Sequence, residues 1–183
     1  GLHNRIRHRI YLKPFSLKET EEYLQSRSVH WDRYQILQGY MLTGGVPFYL
    51  KMLEPQQSFA QNVDRLCFSD TGALKMEFDE LYNAIFPGAE SYVEVVRALA
   101  DNKSGLTRTE ISTKTKISGA YLTRILTNLE RCDFIDKTNL FGNRRTDAVY
   151  RLVDFYTLFY FKFVEKNLSR DDQGWKQHLE SSS

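Results

Sequence analysis

The sequence is poor in the residues that obligatory chemistry needs. It holds two cysteines in 183 residues, Cys67 and Cys132, with no CxxC. That excludes a disulfide scaffold and a zinc knuckle, and it fits a reducing, cytoplasmic setting. The four histidines, His3, His8, His30 and His178, are scattered and lack metal-ligand spacing. No Gly-Lys pair occurs, so there is no Gly-x-x-x-x-Gly-Lys-Ser/Thr loop to cradle phosphates. GxGxxG, HExxH and GxSxG are missing too, so neither a catalytic nor a metal site is expected in this chain. Formal net charge is only +2, which argues against wholesale electrostatic capture of nucleic acid. The apolar stretch at 154–164 is too short for a membrane span and is broken by Asp154 and Lys162, so no membrane partner is expected. There is no signal peptide, and the chain opens Gly-Leu-His-Asn and ends Ser-Ser-Ser. The expectation is a piece of a longer protein.

What is present is a core-forming composition. Apolar residues reach 42%, charged residues 26% and aromatics 14%, enough for one domain or two small ones. The small net charge hides a pattern. Residues 1–30 carry six Lys/Arg against three acids, 31–89 four against seven, and 90–152 eleven against eight. Arg5, Arg7, Arg9, Lys13 and Lys18 precede the first acid. Such a run is either a solvated strand edge or a surface that meets phosphate or an acidic partner.

Local signals divide the chain near Pro87-Gly88. Arg9 to Phe15 reads as a short strand. Ser16 and Glu19 form a capping box that opens a helix with Leu17, Thr20, Tyr23 and Leu24 on its buried face. Asp32 caps a second helix, with Ile36, Leu37, Tyr40 and Met41 inward. Gly44-Gly45 breaks it, and Pro47 starts the next. After a loop at 54–58, two more helical patterns hold Phe59, Val63 and Leu66, then Leu74, Phe78, Leu81, Tyr82 and Ile85.

Beyond Gly88 a helix face of Tyr92, Val95, Val96 and Leu99 is followed by a second capping box, Thr107 with Glu110. A turn near Lys116 leads to a helix with Leu122, Ile125, Leu126 and Leu129 at i, i+3, i+4 and i+7. Two strands around Phe134–Lys137 and Val149–Leu152, joined through Phe141–Arg145, complete the order of a winged helix-turn-helix. The expected fold class is therefore mainly α: a helical bundle over 1–88, a winged helix-turn-helix with a small β-hairpin wing over 89–153, and an aromatic helix in 154–183. That helix either buries its six aromatics in the chain's own core or forms a docking face for a further domain or a second copy.

The order of these motifs resembles an archaeal and bacterial family of AAA-type P-loop ATPases related to the STAND NTPases. The residues that carry it are Gly1–Arg5, Arg9–Glu19, the Gly44-Gly45-Val-Pro47 turn, and the Tyr150-x-Leu152-x-Asp154 stretch before Phe155, Tyr156 and Phe159. The resemblance implies the last strand of a nucleotide-binding sheet, a helical lid and then a winged helix. It places Gly44, Gly45 and Pro47 beside the adenine of a bound nucleotide, with Arg5 or Arg9 near phosphate. It also implies ATP and Mg²⁺ in the whole protein, and an ATPase core and a C-terminal domain as partners. Without a phosphate-binding loop this chain has no means to stabilise a transferring phosphoryl, so it is not expected to turn over ATP or hold a cofactor alone.

The outward face of the helix after Lys116 carries Arg124, Thr127, Asn128 and Arg131, with Lys114 and Lys116 before it and Arg144 and Arg145 at the wing tip. Arg and Asn suit base edges, and Thr suits phosphate, so DNA is one expected partner. Glu130, Asp133 and Asp136 sit close by, so a protein-docking role is the other. A different class of reading also stands: a stand-alone winged-helix transcription regulator whose N-terminal helices serve dimerisation or sensing.

Overall fold

The computed structural model describes residues 12–139 and 148–168. Arg5, Arg9, Arg144 and Arg145 lie outside the described residues, as do the expected wing turn at 141–145 and the final residues 169–183.

The chain is mainly helical. The first half runs α1 (Leu17–Ser26), α2 (Arg33–Thr43), α3 (Pro47–Leu50), α4 (Phe59–Val63) and α5 (Ala73–Ile85). A π-helical turn, Asp64–Phe68, extends α4. The starts follow from side-chain chemistry. Ser16, Asp32 and Ser58 each cap a helix through a reciprocal capping box, with Glu19, Gln35 and Gln61 returning to the cap N–H. The stops are equally local. Gly44 ends α2 in the left-handed region at φ 61° and donates its N–H to the Tyr40 carbonyl at 2.8 Å.

Helix α6 (Ala89–Ala100) opens the second half. It is followed by β1 (Leu106–Thr107), α7 (Arg108–Thr115), α8 (Gly119–Arg131), β2 (Ile135–Asn139) and β3 (Ala148–Leu152). The strands form an antiparallel sheet in the order β1-β3-β2, with Leu106 opposite Tyr150 and Ile135 opposite Leu152. The mainly helical chain with a small antiparallel sheet agrees with the expected helical bundle and small β-hairpin wing, and the short strand β1 is an addition to it. The stripe Leu122, Ile125, Leu126 and Leu129 is buried throughout. Thr107 and Glu110 form their capping box as expected.

Three sequence expectations need correction. Residues 12–16 join no sheet; the Phe15 N–H donates instead to the Gly45 carbonyl at 2.8 Å. The buried face of α2 is Ile36, Gly39, Leu42 and Thr43, while Leu37 and Met41 are exposed. The reason is Trp31, whose ring edge lies where a Gly39 side chain would stand, 2.9 Å from the position of a Cβ. Only a glycine lets that indole seat against the helix, so the helix turns this side inward. On α1, Leu17 is exposed while Thr20 and Leu24 are buried.

The aromatic segment folds back into the core. Helix α9 (Phe155–Phe159) continues through a π-helical turn, Tyr160–Val164, into α10 (Glu165–Leu168). Tyr156, Phe159, Tyr160, Phe161 and Val164 are all buried. Tyr160 stacks flat on Phe78 of α5, with centroids 3.8 Å apart. The Tyr156 hydroxyl donates to the Leu74 carbonyl at 2.7 Å, and the Tyr82 and Thr157 hydroxyls pair at 3.1 Å. Phe86 stacks on Tyr92 at 4.3 Å, and Phe134 packs edge-on against both Phe86 and Tyr82. One aromatic core therefore joins α5, α6, the start of β2 and the last helices. Burying each of these rings outweighs the entropy of fixing it, at about 25 cal/mol per Å² of apolar surface removed from water.

Candidate functional site

Two surfaces hold the residues that the sequence singles out. The first is a groove of about 720 Å³ where the segment Leu12–Ser16 passes between α2 and the start of α9. Gly44, Tyr40, Phe155, Glu19, Asp133 and Asp154 contribute to its walls. Tyr40 and Phe155 approach at 5.5 Å with tilted rings and form its aromatic side. Asp154 caps α9 by accepting the Thr157 N–H at 2.7 Å, and burial pushes its carboxyl pKa above the ordinary range. Glu19 is held below that range by the Ser16 N–H and hydroxyl.

The paired glycines have separate tasks. Gly45, at φ 70°, is buried; a Cβ there would stand 2.1 Å from the Phe15 carbonyl oxygen. Its missing side chain makes room for the protein's own backbone, not for a ligand. Gly44 lines the groove, and a Cβ there would meet nothing closer than Val46 Cγ2 at 4.0 Å. Pro47 is exposed at the first position of α3, outside the groove walls. Among the described residues the groove wall has one cation, Lys13, against three carboxylates. Its chemistry suits the flat, apolar part of a ligand better than phosphate.

The second surface is formed by α7 and α8. Lys114, Lys116, Arg124 and Arg131 are all exposed. Lys116 ends α7 in the left-handed region at φ 60°. The Arg124 guanidinium lies 5.0 Å over the Tyr121 ring. Asn128 points elsewhere: its amide donates to the Tyr92 hydroxyl at 2.8 Å and joins α8 to α6. The Thr127 hydroxyl donates back to the Thr123 carbonyl at 2.8 Å. Sequence reading missed Arg108, which donates to the Gly119 carbonyl at 2.8 Å and to the Thr123 hydroxyl at 3.3 Å and so ties α7 to α8. Only its position at the first turn of α7, facing a glycine-led helix, could have signalled it.

Among the described residues no group of three or more His, Cys, Asp or Glu could hold a metal ion, and no helix is long and apolar enough to cross a membrane. No family model matches the chain, and no curated protein matches it. Among solved structures the chain is similar to a Walker-type ATPase of Pyrococcus abyssi, with a TM-score of 0.50 and 21% sequence identity. The likeness covers 82% of this chain and 43% of that one. This chain therefore shares a fold with part of that Walker-type ATPase, and it spans less than half of that protein's length.

Proposed function

We propose that this chain is the helical lid and winged-helix part of an ATP-binding protein of the AAA type. The observation that carries the reading is the shared fold with a Walker-type ATPase over most of this chain. The sequence offers no phosphate-binding loop, so the part acts by binding and regulation and has no turnover of its own. ATP and Mg²⁺ belong to the whole protein, and the partners of this part are an ATPase core and a C-terminal domain. The groove beside Gly44 receives the base end of the nucleotide, with Tyr40 and Phe155 as its aromatic wall and Gly45 and Pro47 shaping the turn. Arg5 and Arg9, outside the described residues, are assigned to phosphate by the family resemblance alone. The surface of α7 and α8 is the docking face of the winged helix, for DNA or for protein. The free cysteines Cys67 and Cys132 accord with a cytoplasmic setting.

Two measurements test this. A phosphate-release assay on the chain with Mg-ATP is expected to stay at the blank. In the longer protein, ATP is expected to slow amide exchange across residues 40–47. Turnover by the chain alone, or exchange at 40–47 indifferent to nucleotide, refutes the reading.

A further inference from the structure

We infer that the surface of α7 and α8 binds duplex DNA through its phosphates and distinguishes base sequences only weakly. The inference rests on the reading of that surface as the winged helix's docking face. Residues 108–131 carry five Lys/Arg against two acids. One of the two, Glu110, is already engaged, accepting the Thr107 N–H and hydroxyl at 2.7 Å each. Lys114, Lys116, Arg124 and Arg131 stay exposed, and none of the four forms an ion pair with a carboxylate among the described residues. A polyanion satisfies such a surface by releasing about one counterion per cation.

The uncharged polar side chains of α8 that could read bases each already hold a bond within the protein. Asn is the side chain that pairs with adenine in the major groove, yet the Asn128 amide is used on Tyr92. The Thr123 hydroxyl bonds the Gly119 carbonyl and accepts from Arg108, and Thr127 bonds back to its own helix. Beyond Gly119, what α8 presents outward is Ala120, Tyr121, Thr123, Arg124, Glu130 and Arg131, with the Thr123 hydroxyl already engaged and Glu130 the one acid. Arg124 is the one outward side chain near the start of α8 able to pair a guanine edge, and its face is laid on Tyr121. One such pairing discriminates by about tenfold to a hundredfold, whereas sequence-specific proteins separate their sites by at least about a thousandfold. The surface is therefore built to hold a duplex, not to find one site.

Fluorescence anisotropy of the full chain with three unrelated duplexes of about 20 bp, one an A-tract, tests this. The affinities are expected to agree within about tenfold at each salt. Each is expected to fall about a hundredfold between roughly 50 and 200 mM salt, the slope for four phosphate contacts. Arg124→Glu is expected to weaken all three alike by more than tenfold, while Thr127→Val leaves them unchanged. Circular dichroism melts establish that both variants fold. If Arg124→Glu does not fold, the paired change Lys114→Glu with Lys116→Glu takes its place and is expected to give the same uniform loss. A preference above about a hundredfold for one duplex overturns the weak discrimination while leaving a DNA-binding face. No binding at the lowest salt overturns the inference and returns the surface to protein docking, with the lid reading judged separately by the ATP measurements. A loss in Thr127→Val confined to one of the three duplexes would also overturn the weak discrimination, because that hydroxyl would then be reading bases, whereas an equal loss on all three would add a phosphate contact and support the inference.

Discussion

Replacing Gly45 by alanine probes the joint on which the groove is built. The native backbone sits at φ 70°, a region where an L side chain costs about 1–2 kcal/mol. The new Cβ would stand 2.1 Å from the Phe15 carbonyl oxygen and 2.9 Å from Tyr40 Cε2. Tyr40 can swing aside, but the Phe15 backbone has to withdraw. Withdrawal breaks the 2.8 Å bond from the Phe15 N–H to the Gly45 carbonyl, a further net loss of about 0.5–1.5 kcal/mol. The expected cost of Gly45→Ala is thus about 2–3 kcal/mol. Gly44→Ala is the control. It meets the same left-handed penalty at φ 61° but has open space around its Cβ, so about 1 kcal/mol is expected. Urea unfolding of the wild type and both variants, with unchanged slopes, reads the difference directly. If the two variants lose stability equally, Phe15 is not seated on Gly45, and the groove is not formed as described.

Two other perturbations follow from buried polar groups. Asn62 is fully buried; its carbonyl accepts the Glu54 N–H at 2.7 Å and its amide reaches the Glu54, Gln57 and Ser58 carbonyls, while Arg65 donates to its Oδ1 at 2.8 Å. Asn62→Ala leaves several of these without partners and is expected to cost at least about 2 kcal/mol in urea unfolding; a loss under 0.5 kcal/mol would show that water replaces the amide. Asp154 has its folded pKa raised by burial, so its contribution to stability is present below the unfolded value and is lost as pH rises through the folded one. Asp154→Asn keeps the cap and removes that loss, so it is expected to match or exceed the wild type at pH 7, whereas Asp154→Ala loses about 1 kcal/mol with the cap. Thermal melts at pH 4 and 7 check the sign, and a loss in Asp154→Asn that grows with pH would contradict it.

Much of the helical order was legible in local chemistry. Ser16, Asp32 and Thr107 start their helices through side-chain bonds spanning three residues, and Gly44 stops α2 by a backbone angle, so no distant contact is needed. The amphipathic stripe of α8 was equally legible because a period of 3.6 is a local property. The inward face of α2 was not. Apolar spacing favoured Leu37 and Met41, but Trp31 seated on Gly39 turned the helix, and the bulk of a neighbouring ring is not written in the periodicity. Strand β1 was also missed: two residues carry no alternation, and Leu106–Thr107 becomes a strand only by pairing with β3.

The candidate sites divide in the same way. The sequence by itself determined that no phosphate-binding loop is present, that two glycines break α2, and that cations cluster from Lys114 to Arg131, because these are facts of residue type and order. Only the tertiary structure decided which glycine faces the groove, since that depends on the Phe15 carbonyl closing over Gly45. Only it turned Asn128 inward, because the Tyr92 hydroxyl that accepts its amide lies 36 residues away in the chain. It also settled the place of the aromatic helix. Whether Tyr160 met a partner or the chain's own core depended on a flat ring, Phe78, waiting on another helix to stack against it.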